Sequence, residues 1–258
     1  MLRSCGATDL ALKACADATV QGLLMLAQRN HGPRRYCQIV TDIDDTLFPN
    51  PMYGIAGRDY SQARYVPYPG VHSVGQATLP LPILLLSARP TIFLSKARAA
   101  MALGRHADDL YAAGGNVSSL RAVRGLLGTP RRQTYSTMAQ RKAEVLARYA
   151  TYLRYAIRAR AVQDEVELVF LGDTGQGDLE AAARALDAGH IQQAFIHNVG
   201  CLRGETPTTW LFQRPQLQII QNFGPVLDYV TRRKSSCDAA PRPTAMIEQC
   251  SLCLRAQR

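Results

Sequence analysis

The segment Thr41-Asp42-Ile43-Asp44-Asp45-Thr46 follows directly on an apolar run and sets two carboxylates two positions apart. Side chains alternate across an extended chain, so Asp42 and Asp44 are expected to emerge on the same side of a strand end. Such a pair divides labour. One carboxylate attacks a phosphoryl group to give an aspartyl phosphate, and the other, protonated part of the time, gives a proton to the leaving oxygen. Asp42 is expected to be the nucleophile, and Asp44 the acid and then the base. An anionic nucleophile facing an anionic ester needs a hard cation that takes oxygen ligands, and Mg2+ meets that need. A second acidic segment, Leu171-Gly172-Asp173-Thr174-Gly175-Gln176-Gly177-Asp178, offers more oxygen ligands. Its glycines allow a tight turn that brings backbone amides close to bound anions. The expected metal set is Asp42, Asp44, Asp173 and Asp178, with Asp173 a direct ligand and Asp178 acting through water or by orienting the loop.

Phosphoryl transfer also calls for a hydroxyl and a fixed cation that hold the equatorial oxygens as charge redistributes. Ser87, in Leu84-Leu85-Leu86-Ser87-Ala88-Arg89-Pro90, is the expected hydroxyl, and Lys142 the expected cation, with Lys96 as the alternative lysine. Each residue also has a plainer reading. Ser87 could cap a helix ahead of Pro90, Lys142 could be an exposed helix lysine, and Asp178 could cap the helix that follows it. Arg89 fits a substrate phosphate or an ion pair equally well. His197, at the end of an apolar run, reads as a structural histidine.

These residues need elements to hold them. Short apolar runs at Cys37 to Thr41, Leu81 to Ser87, Val166 to Leu171 and Ala194 to His197 stop at polar or glycine residues, as buried parallel strands do. Helical patterns occupy residues 1–30, Pro90 to Leu103, Met138 to Ile157 and Asp178 to Ala188; in the third, Val145, Leu146, Tyr149, Leu153 and Ile157 form one stripe. Strands alternating with helices predict an α/β fold: a Rossmann-like, mainly parallel sheet flanked by helices. In such sheets ligands bind beyond the carboxyl ends of the strands, where Asp42, Ser87 and Asp173 are expected. Residues 47–80 and 104–137, rich in Gly, Pro and Tyr, are read as loops or small inserted elements, giving a small cap or none. The expected organisation is an N-terminal helical extension (1–36), a catalytic domain (37–234) and a C-terminal tail (235–258).

A chain of 258 residues, 47% hydrophobic and 19% charged, has the composition of a folded globular protein with one full core. Its net charge of +10 comes mostly from arginine and favours anionic partners. A phosphorylated small molecule or a phospholipid is the expected partner, with peripheral contact to an anionic membrane. Nucleic acid ranks last because no reading motif or aromatic platform accompanies the charge. The basic pairs Arg34/Arg35 and Arg131/Arg132 and the run Arg232-Arg233-Lys234 read first as solvated faces. Seven cysteines at irregular spacing argue against a disulfide framework and for a cytoplasmic setting. Cys250 and Cys253 form a lone CxxC without the second pair that a zinc site needs. No run approaches the ~20 consecutive apolar residues of a membrane span.

Taken in order, the DxDxT segment, the Ser after a second strand, the Lys and the later acidic pair resemble the four motifs of the haloacid dehalogenase-like superfamily. Within it, Thr41-Asp42-Ile43-Asp44-Asp45-Thr46 and Gly172-Asp173-Thr174-Gly175-Gln176-Gly177-Asp178-Leu179-Glu180 are similar to the DIDDT and GDSGxxDxE signatures of the actin-patch-associated phosphatidate phosphatase catalytic domain, related to lipins. The second motif, often SNSP in that family, here reads Ser87-Ala88-Arg89-Pro90. The resemblance spans roughly Cys37 to Val199. It implies a magnesium-dependent phosphatase of phosphatidate or another lipid phosphate, with Asp42, Asp44, Ser87, Lys142, Asp173 and Asp178 in the motif roles. The alternative is a phospholipid-binding domain of the same fold without turnover.

Overall fold

In the computed structural model, residues 9–28, 34–49, 66–79, 81–87, 117–121, 131–175, 177–199 and 214–235 are described. Six strands form one sheet: β1 (Arg35–Thr41), β2 (Ile83–Ser87), β3 (Val117–Arg121), β4 (Glu165–Asp173), β5 (Gln193–His197) and β6 (Leu217–Ile220). Their spatial order is β3-β2-β1-β4-β5-β6, and every neighbouring pair is parallel. Five helices accompany them among the described residues: α1 (Asp9–Ala27), α2 (Val71–Thr78), α3 (Arg131–Ala159), α4 (Asp178–Asp187) and α5 (Gly224–Ser235).

Two apolar layers explain why the central strands are hydrophobic without alternation. Val40, Leu84, Leu86, Leu168, Phe170, Ala194 and Ile196 point to one face, where α1, α3 and α4 cover them. Their neighbours Ile39, Ile83, Leu85, Val169, Leu171 and Phe195 point to the other, under α2 and α5. A strand covered on both sides is apolar through its middle, as β5 is at Ala194, Phe195 and Ile196. The helices follow the complementary rule. In α3 the buried positions Met138, Lys142, Val145, Leu146, Tyr149, Leu153 and Ala156 recur at helical spacing, and Lys142 is the one charged member of that stripe.

The first helix is pinned by polar as well as apolar contacts. The Tyr149 hydroxyl donates to Gln38 Oε1 at 2.7 Å and lies 3.0 Å from Thr19 Oγ1. The Gln38 amide donates to Thr19 Oγ1 and to the Pro82 carbonyl. All three side chains are fully buried, so this closed network ties α1, β1 and α3 together where water cannot compete.

Several elements differ from the sequence expectation. The boundary expected at 36/37 falls inside β1, and α1 supplies Leu12, Ala16 and Val20 to the shared core. By length and mean hydropathy, 1.4, α1 is also sufficient for a membrane span, although seven of its residues are buried here. Residues 47–80 contain α2, and 104–137 contain β3 as well as the first turns of α3, which begins at Arg131. β3, β6 and α5 carry no clear sequence signal: β6 has four residues and only Ile220 buried, too few for a periodic pattern. The helix expected over Pro90 to Leu103 and most of the region where a cap would lie are outside the described residues.

Candidate active site

The strand order places the site. The chain leaves β1 for β2 on one side and later arrives at β4 on the other, so a crevice opens at the carboxyl ends of β1 and β4, where connections diverge. Registry then levels the residues that line it. Thr41 is opposite Leu171 on β4 and Leu85 on β2, so Asp42, Ser87 and Asp173 reach the same edge within about a residue of one another. Asp173 in turn lies opposite His197, the last residue of β5.

Three carboxylates converge there. Asp42, Asp173 and Asp178 each offer an oxygen within 4.8 Å of the others, and all three side chains are fully buried. The Lys142 ammonium, equally buried, lies 3.1 Å from Asp42 Oδ2 and donates to Asp178 Oδ1. The other Asp178 oxygen accepts from the Asp173 backbone N–H at 3.2 Å. Asp173 Oδ1 accepts from the Gly175 N–H, and the Thr46 hydroxyl lies 3.5 Å from Asp173 Oδ2.

Local sequence explains how the acids approach so closely. A Cβ on Gly172 would sit 2.6 Å from the Asp178 Cβ, so only glycine leaves room for that side chain. Gly177, with φ +77°, starts α4 in a left-handed conformation, and a Cβ there would meet the Tyr135 carbonyl at 2.4 Å. Glycine at these two positions lets the β4–α4 loop fold against α3 and bring Asp178 to Lys142. Asp178 also occupies the first turn of α4, where the helix dipole favours negative charge.

Burial dominates the electrostatics. It pushes the Asp42 carboxyl up to about 8; the Lys142 ammonium opposes the shift, and the charges of Asp178 and Asp44 add to it. Burial, then Asp178 and Asp42, hold Asp173 well above the ordinary carboxylate range, and burial raises Asp178 too. For Lys142, burial alone would lower the value, but Asp178, Asp42 and Asp173 outweigh it and raise it, so the ammonium stays charged.

If all three acids ionise against one lysine, two negative charges remain in a dry site, which is costly to leave unbalanced. That remainder equals the charge of one divalent cation. Both oxygens of Asp42 are fully buried and make no hydrogen bond of normal geometry with the described residues. One hard oxygen donor from each of Asp42, Asp173 and Asp178, all within 4.8 Å, with the Asp42 oxygens making no such bond, is a set that could hold a divalent cation such as Mg2+.

Asp44, the fourth residue of the expected ligand set, is not a member of that trio. The strand ends at Thr41, and Leu47 and Phe48 donate back to the Ile43 carbonyl, so the chain turns before Asp44 and the strand alternation no longer applies. Asp44 is nevertheless close enough for its charge to raise the Asp42 carboxyl. Ser87 is placed by its backbone as the last residue of β2, opposite Arg121. Lys142 is completely buried at the site, not exposed. Lys96, Arg89, Cys250 and Cys253 lie outside the described residues. Of the basic clusters, Arg35 pairs with Glu165 and Glu167, and Arg233 with Glu167.

Two features of the site had no reading in the sequence. Asp45 is left-handed, φ 61°, an unusual state for a residue with a Cβ. The His197 ring reaches its carbonyl, with Nδ1 3.0 Å away. A carbonyl only accepts, so Nδ1 carries the proton and donates.

The fold and site thus define a parallel α/β protein with a buried aspartate and lysine centre at the switch point of its sheet. Compared with known protein families, curated proteins and solved structures, the chain shows no significant match to any.

Proposed function

We propose that this protein is a Mg2+-dependent phosphomonoester phosphatase of the haloacid dehalogenase-like type, acting on phosphatidate or a related lipid phosphate through an aspartyl phosphate on Asp42. The observation that carries the reading is the convergence of Asp42, Asp173 and Asp178 with Lys142 in one buried cluster at the sheet edge. Residues about 130 positions apart in the chain have no structural need to bury like charges together, and a site that does so bears the mark of chemistry. The four-motif resemblance supplies the reaction class and the lipid substrate.

Bound Mg2+ supplies charge neutralisation between nucleophile and ester and favours the ionised form of Asp42. The chain's own residues do the rest. The Asp42 carboxylate forms a bond to phosphorus as the bond to the leaving oxygen breaks, and Asp44 gives that oxygen a proton. Water then attacks phosphorus and surrenders a proton to Asp44, and inorganic phosphate departs, restoring the Asp42 carboxylate. Lys142 holds Asp42 and Asp178 in register and balances part of their charge, while Ser87 binds an equatorial oxygen.

The test is phosphate release from a panel of phosphomonoesters, including p-nitrophenyl phosphate and phosphatidate in mixed micelles, with and without Mg2+. Activity is expected only with Mg2+, and Asp42→Asn is expected to reduce it to background while leaving the circular dichroism spectrum unchanged. Turnover by Asp42→Asn at the rate of the unaltered protein would overturn the assignment. Phosphatidate binding without turnover by the unaltered protein would point instead to a lipid-binding domain.

A further inference from the structure

His197 ends β5 at the site and is almost completely buried. Its backbone carbonyl accepts from the Thr174 N–H at 3.1 Å, at the turn that follows Asp173. Its ring donates from Nδ1 to the Asp45 carbonyl at 3.0 Å, in the turn that follows Asp42 and Asp44. One residue therefore bonds to both acidic loops, and only the second bond depends on its side chain.

The ring has little freedom to leave that position. Tyr68 meets it edge to face at a centroid distance of 4.5 Å, and Phe223 packs against it at 5.6 Å. On the other side of the bond, Asp45 is the residue whose conformation is strained. A left-handed φ costs a non-glycine residue free energy, and such a state persists where surrounding contacts hold it. The Asp45 N–H donates to the Phe48 carbonyl at 2.7 Å, and the His197 donor takes up the Asp45 carbonyl. Together these bonds determine the direction in which the chain leaves Asp44.

We infer that His197 is a positioning residue: its Nδ1–H bond to the Asp45 carbonyl holds the strained turn that aims the Asp44 carboxyl at the leaving oxygen. The catalytic part rests on the phosphatase reading above; the bond's hold on the turn does not. If Asp44 is the proton donor, the loss of its aim hurts most where the leaving group most needs a proton. An alkyl phosphate has such a leaving group; p-nitrophenolate leaves readily without one.

His197→Phe keeps an aromatic ring against Tyr68 and Phe223 but removes the donor. His197→Asn puts an amide N–H near the position of Nδ1–H. For His197→Phe, kcat on an alkyl phosphate is expected to fall by about ten-fold or more beyond any fall on p-nitrophenyl phosphate, with KM little changed, and His197→Asn to recover most of the difference. A structural role alone would lower both substrates equally. Independently of turnover, amide hydrogen exchange at Asp45 is expected to speed up in His197→Phe and not in His197→Asn, with β4 amides such as Val169 unchanged in both. Unaltered Asp45 exchange in His197→Phe would overturn the inference. Altered exchange with no phosphate release from the unaltered protein would leave the bond's role standing and sink the phosphatase reading.

Discussion

At the scale of single residues, the site stores an electrostatic conflict that a bound divalent ion would relieve. Burial penalises the charge of Asp42 and pushes its carboxyl from 3.8 up to about 8 in the folded chain. The folded state therefore binds more protons than the unfolded one between these values, and stability falls as pH rises through that window. Asp173, also raised, adds to the same slope. In EDTA, the urea midpoint is expected to be lower at pH 8 than at pH 5.5. Mg2+ should raise it more at pH 8, where the acids ionise more readily, by an amount that grows as the logarithm of Mg2+ concentration above its dissociation constant. A midpoint independent of both pH and Mg2+ would mean that the three carboxylates do not form the site described.

At the scale of elements, the β4–α4 loop depends on two glycines that serve geometry and not flexibility. Gly177→Ala places a methyl group 2.4 Å from the Tyr135 carbonyl in a left-handed residue. The left-handed strain alone costs about 1–3 kcal/mol, and α4 has to shift away from α3 to relieve the contact. Thermal denaturation should register that loss. Mg2+ affinity by calorimetry should fall as well, because Asp178 begins α4 and moves with it. Loss of stability with undiminished affinity would show that the α3–α4 approach does not position the ligand. The buried network of Thr19, Gln38 and Tyr149 works in the same way on α1. Tyr149→Phe leaves the Gln38 acceptor without its hydroxyl partner, at about 1–3 kcal/mol for an unsatisfied buried group, and chemical denaturation would measure it.

At the scale of the whole molecule, α1 is a part of the core. Leu12 is fully buried among residues of one core layer, and Leu12→Ala is expected to cost about 2–5 kcal/mol in a single cooperative transition. A detachable N-terminal helix would instead show almost no global change or a separate early transition in fluorescence and circular dichroism. Much of this architecture was legible beforehand. The apolar runs leading into Asp42 and ending at Asp173 and His197 are buried on both faces, and that condition writes itself into sequence as mostly apolar runs, broken in β1 by the hydrogen-bonded Gln38. Lys142 falls three positions before Val145 on the same stripe of α3, a lysine where the helical period calls for an apolar residue, and that mismatch is a sign of a buried charge. The edge strand β6 left no comparable trace, since a four-residue strand with only Ile220 buried needs no pattern. By itself, then, the order of apolar runs and the types of their terminal residues determined a parallel α/β sheet with acids at one edge. Only the tertiary structure decided that Asp178 joins Asp42 and Asp173 while Asp44 stands apart, and that His197 reaches Asp45. Those outcomes depend on strand register and on where the chain turns after Ile43, and contacts between residues distant along the chain leave no periodic mark in it.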